Sequence, residues 1–125
     1  MENPNAHADV FVYTGEGGMQ APQDVFRVRV DPSVTTISTK AFFQRKKLVE
    51  VELSEGLVEI GECSFRYCDH SITKIIIPSS LRRINDYAFA VSLRTPIRLH
   101  DDIEIIGIAA FSGCIFTNFR VPRDP

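Results

Sequence analysis

The sequence has no apolar run that approaches the roughly 18 residues of a membrane-spanning helix. Its first residues lack the basic region followed by an apolar core that marks a secretory signal peptide. The formal net charge of −2 gives no general affinity for nucleic acid or for an anionic membrane, and we interpret the basic run Arg45–Lys47 as solvated surface. The sequence therefore predicts neither a nucleic-acid nor a membrane partner, and it favours an intracellular location without establishing one.

Signatures of catalysis and of metal binding are missing as well. Gly15–Gly18 is not followed by the Lys-Ser/Thr pair and the helix of a phosphate-binding loop. Cys68–Ser71 contains the residue types of a catalytic triad, but neighbours on one loop rarely point at one another. Cys63, Cys68 and His70 match no standard zinc spacing, and no fourth ligand is evident. We therefore predict no enzymatic activity, no cofactor and no metal site.

An internal repeat covers most of the chain, with Leu57–Pro78 as its clearest unit. The step from a strand position (28, 51, 75, 97) to the next apolar residue (34, 57, 81, 103) is always 6 residues. From there to an isoleucine (37, 60, 84, 106) is always 3, and from that isoleucine to a phenylalanine (42, 65, 89, 111) is always 5. Only the step from the phenylalanine to the next strand varies, as expected for a surface loop. A repeat of this length indicates a solenoid.

The repeat predicts one short strand in each coil. Apolar residues stand two apart at 28 and 30, 51 and 53, 75 and 77, and 97 and 99, which is the spacing of a half-buried strand. We expect strands of successive coils to pair in parallel. The segments around the phenylalanines are too short for long helices, so we predict one-turn 3₁₀ or α pieces on the opposite side of the coil, with each phenylalanine filling the core.

The phrases Leu48-x-x-Val51-x-Leu53 and Ile60-Gly61…Phe65-x-x-Cys68 resemble leucine-rich repeats of the BspA type. The resemblance covers residues 25–122. It implies an α/β repeat solenoid, a short right-handed superhelix with a parallel sheet on its concave side and short 3₁₀, helical or extended segments on its convex side. It also implies binding of other macromolecules and no enzymatic role. The departures from the family pattern are Ser38 and Asn85 in place of glycine, Arg45 and Ser92 in place of cysteine, one extra residue between Leu93 and Ile97, and Cys63.

We divide the chain into three segments: residues 1–24 are a flexible N-terminus with a capping strand near Asp9–Gly15, residues 25–122 are a solenoid of about four to five coils, and residues 123–125 are a tail. No polar capping coil follows the last strand. We therefore expect the C-terminal edge to be open, to continue into a longer array, or to pair with another copy.

The three cysteines are odd in number and do not form the framework of a secreted domain. Cys68 and Cys114 hold equivalent positions two coils apart. At about 4.8 Å per coil they lie about 10 Å apart, beyond the reach of a disulfide. The sequence therefore predicts free thiols, which suit a reducing environment.

The candidate site is the concave face. Opposite charges on neighbouring strands of the early coils, such as Arg29 beside Glu52, support strand pairing by about 0.2–1 kcal/mol. The later coils gather positive charge beside an exposed Ile76, an arrangement that suits an acidic protein or glycan, although ordinary solvated surface is the alternative. The predicted partner-binding residues are Arg29, Glu52, Lys74, Ile76, Arg98, His100 and Arg120.

The leading hypothesis is a non-enzymatic recognition module that holds a protein or glycan on this face. The alternative hypothesis is a structural or self-associating segment of a longer leucine-rich-repeat array, which uses the open C-terminal edge.

Overall fold

The computed structural model describes residues 9–16 and 20–115. Within them the chain forms a parallel β-solenoid of eight short strands. The strands are β1 (Phe11–Tyr13), β2 (Arg27–Val30), β3 (Thr36–Ile37), β4 (Glu50–Glu52), β5 (Glu59–Ile60), β6 (Lys74–Ile75), β7 (Arg83–Ile84) and β8 (Ile105–Ile106). They build two parallel sheets, a first sheet in the order β1-β2-β4-β6 and a second in the order β3-β5-β7-β8.

The first sheet contains three of the four strands that the repeat predicts. Val28 pairs with Val51, and Val51 pairs with Ile75, so the same repeat position lies at the same register in three coils. All three side chains are buried. The predicted parallel pairing is confirmed for these strands.

The second sheet is a feature that the repeat pattern did not predict. Its inward residues are Ile37, Ile60 and Ile84, which are fully buried and aligned across three coils. Each strand is only two residues long, which is too short to show an alternating apolar pattern. One coil therefore has strands on two of its sides.

The strand predicted at residues 97–99 is absent from the first sheet in the part of the chain that the structure describes. Ile97 and Leu99 are buried as predicted. In the preceding coil, however, Lys74 donates its N–H to the Val49 carbonyl at 3.2 Å, whereas the corresponding Pro96 has no N–H to donate. The proline and the extra residue before Ile97 account for the break in the ladder.

A column of stacked phenylalanines fills the centre of the solenoid. The ring centroids of Phe42, Phe65, Phe89 and Phe111 lie 5.0, 5.2 and 5.6 Å apart in succession, with interplanar angles of 13° or less. Offset stacking at such spacings adds to the gain from burial. The phenylalanine is therefore the core residue that the repeat predicted.

The segments that carry these phenylalanines are tight turns, and the described residues contain no helix. The prediction of one-turn helical pieces is thus not confirmed. Cys63 and Tyr67, two residues before and after Phe65, have φ of 56° and 62°, and this left-handed conformation interrupts any helix. The turns are joined to one another instead, because the Phe65 N–H donates to the Ala88 carbonyl of the next coil at 2.8 Å.

The position that the family pattern gives to cysteine has a common role in each coil. Its side chain donates a hydrogen bond to a backbone carbonyl of the preceding segment or coil: Arg45 to Ala21, Cys68 to Phe42, Ser92 to Phe65 and Cys114 to Phe89. Arg45 and Ser92 therefore depart from the pattern in identity but keep the donor.

The last described coil is less buried than the coils before it. Ile106 occupies the position of Ile37, Ile60 and Ile84, which are fully buried, yet it is 36% exposed. Those three residues are each covered by a following coil. The described residues place no coil beyond β8, so Ile106 has no such cover among them.

No helix with the length and apolar character needed to span a membrane occurs in residues 9–16 and 20–115. The predicted segment limits at 24, 122 and 125 stay a prediction.

Candidate partner-binding surface

The outward face of the first sheet carries a network of paired charges. Glu50 accepts from Arg27 Nη2 at 3.1 Å and lies 3.7 Å from Lys74 Nζ. Arg29 Nε lies 4.0 Å from Glu52 Oε2, on directly paired residues. Exposed pairs of this kind contribute little to stability, about 0–1 kcal/mol each. Their consequence is that the early part of the face is electrostatically balanced, as the sequence predicted.

The end of this face has a different character. Ile76 is 77% exposed, and Arg98, on the next coil, is exposed as well. Among the described residues no carboxylate forms an ion pair with Arg98. We call Lys74, Ile76 and Arg98 the Ile76 patch, which combines an exposed apolar side chain with positive charge.

His100 lies in a turn at the border of the patch and is half-buried. Its Nδ1 accepts from the Asp102 N–H at 3.2 Å, so its Nε2 is the nitrogen that donates to the Pro78 carbonyl, at 3.1 Å. Both ring nitrogens are thus used within the fold. His100 holds a turn and is less available to a partner than Ile76 or Arg98.

Arg120, the remaining predicted site residue, lies outside the described residues. The structure brings Arg29, Glu52, Lys74 and Ile76 onto adjacent strands or their ends. The predicted row thus divides into a paired part, Arg29 and Glu52, and the Ile76 patch.

The side chains that were weighed as catalytic or zinc ligands have separate partners. Cys68 is buried, donates to the Phe42 carbonyl at 3.5 Å, and burial raises its pKa to about 11. His70 Nε2 lies 2.7 Å from the Gly113 carbonyl oxygen, and Cys63 Sγ lies 3.8 Å from Arg66 Nη1. Within the described ranges no group of three or more metal-ligating side chains is placed to hold an ion.

Among the described residues, a further concave feature lies between the N-terminal segment and the turn of the first coil. This N-terminal cleft has a volume of about 500 Å³ and is bordered by Glu16, Gln20, Gln23, Lys40, Phe43 and Gln44. Sequence reasoning missed it because its two sides are about 25 residues apart and neither side has a recognisable motif.

Comparison with protein families matches the BspA type leucine rich repeat region, in six copies over residues 24–124. Comparisons with the curated proteins and with the solved structures found no match. Repeats of this family suggest a protein-interaction module, and their fold is typically non-enzymatic. On the match over most of its length, the chain belongs to the BspA-type leucine-rich-repeat family.

Proposed function

We propose that this protein is a non-enzymatic recognition module that binds an acidic protein segment on the outward face of the first sheet, the face expected to be concave. The observation that carries the proposal is the exposure of Ile76 together with that of Arg98, which forms no ion pair with a carboxylate of residues 9–16 and 20–115. An exposed apolar side chain rimmed by polar ones is typical of an interaction site. Arg29 and Glu52, which already pair with each other, would surround the contact and set its register.

Charge complementarity explains why the partner should be acidic. Arg98 has no carboxylate partner among the described residues, and Lys74, at 71% side-chain exposure, shares Glu50 with Arg27. Positive potential at the patch would speed the encounter with an acidic segment and reject a basic one. Binding should therefore weaken as salt concentration rises.

The test is affinity capture from the source's own extract, read by mass spectrometry. A partner that binds the wild type should be lost by the double variant Ile76→Asp/Arg98→Glu. The matched control is Ile108→Asp/Lys47→Glu, which makes the same changes of charge at exposed positions elsewhere. Retention by the patch variant, or equal loss by both variants, would contradict the proposal.

A second candidate function rests on a different surface. Ile105, Ile106, Ile108 and Ile115 are all exposed in the last described coil, and β8 is at the edge of its sheet among the described strands. An exposed strand edge with apolar side chains can pair with another chain. We propose as the alternative that this face stacks on a second copy or on a further coil of an array.

Sedimentation equilibrium separates the two candidates. Self-association predicts a mass that rises with concentration in the wild type and stays monomeric in Ile108→Asp. A wild type that is monomeric at every concentration would rule out the second copy.

A further inference from the structure

The N-terminal cleft is held in shape by buried hydrogen bonds. Arg45, only 8% exposed, donates from Nε and Nη2 to the Ala21 carbonyl at 3.1 and 2.8 Å. Its Nη1 donates to the Phe43 carbonyl at 2.8 Å. One guanidinium thus ties the N-terminal segment to the turn of the first coil, and both sides of the cleft are fixed before any ligand arrives.

A second set of hydrogen bonds joins the two sides at the other end of the cleft. The Tyr13 hydroxyl accepts from the Ser38 N–H at 3.0 Å and lies 3.0 Å from Ser38 Oγ. Tyr13 is itself buried and packs on Phe42, with ring centroids 5.4 Å apart. A preformed concave site loses less entropy on binding than a flexible one, and about 500 Å³ is within the usual range for small-molecule sites.

The groups around the cleft are mixed donors and acceptors. Gln20, Gln23 and Gln44 have exposed carboxamides, and a carboxamide can both donate and accept. Two of them already make one long hydrogen bond within the chain: Gln20 Oε1 accepts from Arg45 Nη2 at 3.5 Å, and Gln23 Nε2 donates to the Gln44 carbonyl at 3.4 Å. Glu16 and Lys40 add one charge of each sign, and the Arg45 guanidinium, which also lines the cleft, leaves an excess of one positive charge. Phe43 is half-buried and supplies one aromatic ring, with Lys40 Nζ over it at 5.4 Å from the centroid and Tyr67 packed edge-on at 5.8 Å.

This chemistry discriminates between classes of ligand. A phosphate or nucleotide would need several cationic groups that are free to bind it, whereas Arg45 already donates to carbonyls of the chain and leaves Lys40 as the remaining cation of the lining. A lipid would need an apolar lining. A sugar matches, because each of its hydroxyls both donates and accepts, as the carboxamides do, and its apolar ring face can rest against an aromatic side chain.

We propose that the N-terminal cleft is a carbohydrate-binding site for one or two sugar units of a glycan. It lies on a different part of the molecule from the Ile76 patch, so the protein would carry a glycan contact in addition to its protein contact. The proposal does not depend on the function assigned to the first sheet.

The test titrates ¹⁵N-labelled protein separately with lactose, maltose, cellobiose and N,N′-diacetylchitobiose, followed by amide chemical shifts. At least one disaccharide should shift the signals of residues 39–44, with a dissociation constant on the order of 1 mM. Gln20→Ala/Gln23→Ala should weaken that binding by about tenfold, because two hydrogen-bonding side chains are lost. Both side chains are exposed, and their bonds within the chain are long, at 3.5 and 3.4 Å, so the melting temperature should change little.

Two further variants make the outcome specific. Gln44→Asn keeps a carboxamide and a residue that tolerates the φ of 59° at this position, but it shortens the reach and should also weaken binding. Ile76→Asp/Arg98→Glu should bind the sugar as the wild type does. No shift at residues 39–44 with any of the four sugars, or full binding by the Gln20→Ala/Gln23→Ala variant, would overturn the proposal.

Discussion

At the scale of single residues, a side-chain donor at one repeat position links each coil to the one before it. Ser92 is the clearest example of this donor, because it is fully buried and has several hydrogen-bond partners. Its hydroxyl donates to the Phe65 carbonyl and accepts from the Cys68 N–H at 3.0 Å. The sequence marks Ser92 as a departure from the family's cysteine, but only the structure shows that serine performs the same task.

We expect Ser92→Ala to lower the free energy of unfolding by about 1–3 kcal/mol, because it leaves the buried Cys68 N–H without its acceptor. Ser92→Cys, which restores the residue of the family pattern and a weak donor, should lose less. Urea denaturation of the two variants beside the wild type measures the difference. Equal stability of Ser92→Ala and the wild type would show that the hydroxyl is dispensable.

The buried thiol of Cys68 should be inert in the folded protein. Burial raises its pKa to about 11, so the reactive thiolate is scarce at neutral pH. Cys114 is half-buried and should react first with a thiol reagent such as dithiobisnitrobenzoate. Cys68 should react only after unfolding, as counted with single-cysteine variants at pH 8. Labelling of Cys68 as fast as that of Cys114 would contradict this prediction.

At the scale of elements, the backbone explains which parts of the pattern could be predicted. Val28, Val51 and Ile75 share one register because their spacing is constant, and that alignment was predictable. The second sheet was not, since a two-residue strand has too few positions to reveal a period. The fold also explains why residue 61 is a glycine. A Cβ at this position would lie 2.9 Å from the carbonyl carbon of Ser38, which is too close.

Side chains in the turns of successive coils are also hydrogen-bonded to one another, and the pair formed by Glu55 and Ser79 should respond to pH. Glu55 is exposed and accepts from the Ser79 hydroxyl at 2.8 Å and from the Ser79 N–H at 3.0 Å. These bonds lower its pKa below the ordinary value of 4.5. Such a group contributes stability above the pKa of the unfolded chain and loses it as the pH falls through the lower, folded-state pKa.

Glu55→Gln should therefore melt at a lower temperature than the wild type at pH 7, and the difference should vanish in acid well below pH 4.5. Glu104→Gln is the control, at an exposed position whose backbone N–H donates to the Arg82 carbonyl at 2.7 Å. The melting temperatures of both variants and of the wild type would be measured as a function of pH. A difference between wild type and Glu55→Gln that stays constant into acid would exclude a role for the carboxylate charge.

At the scale of the whole molecule, each coil is stabilised by its neighbours, as expected of a solenoid. Burial of Phe42, Phe65 and Phe89 at the centre could be predicted from their fixed spacing. The exposure of Ile106 and the shape of the N-terminal cleft could not, because both depend on what packs beside a coil rather than on the coil itself. The candidate site was likewise predictable only in part. The pairing of Arg29 with Glu52 could be predicted from the sequence, whereas the hydrogen bonds of His100 within a turn could not.

The most direct test of the recognition proposal is site-specific photo-crosslinking in the source's extract. Photoreactive benzoylphenylalanine would replace Ile76 in one protein and Ile108 in another, since both positions are strongly exposed. Recognition by the first sheet predicts that a partner protein cross-links to position 76 and that none cross-links to position 108. High salt should suppress the cross-link at position 76. Cross-links from position 108 alone, or from neither position, would contradict recognition by the first sheet.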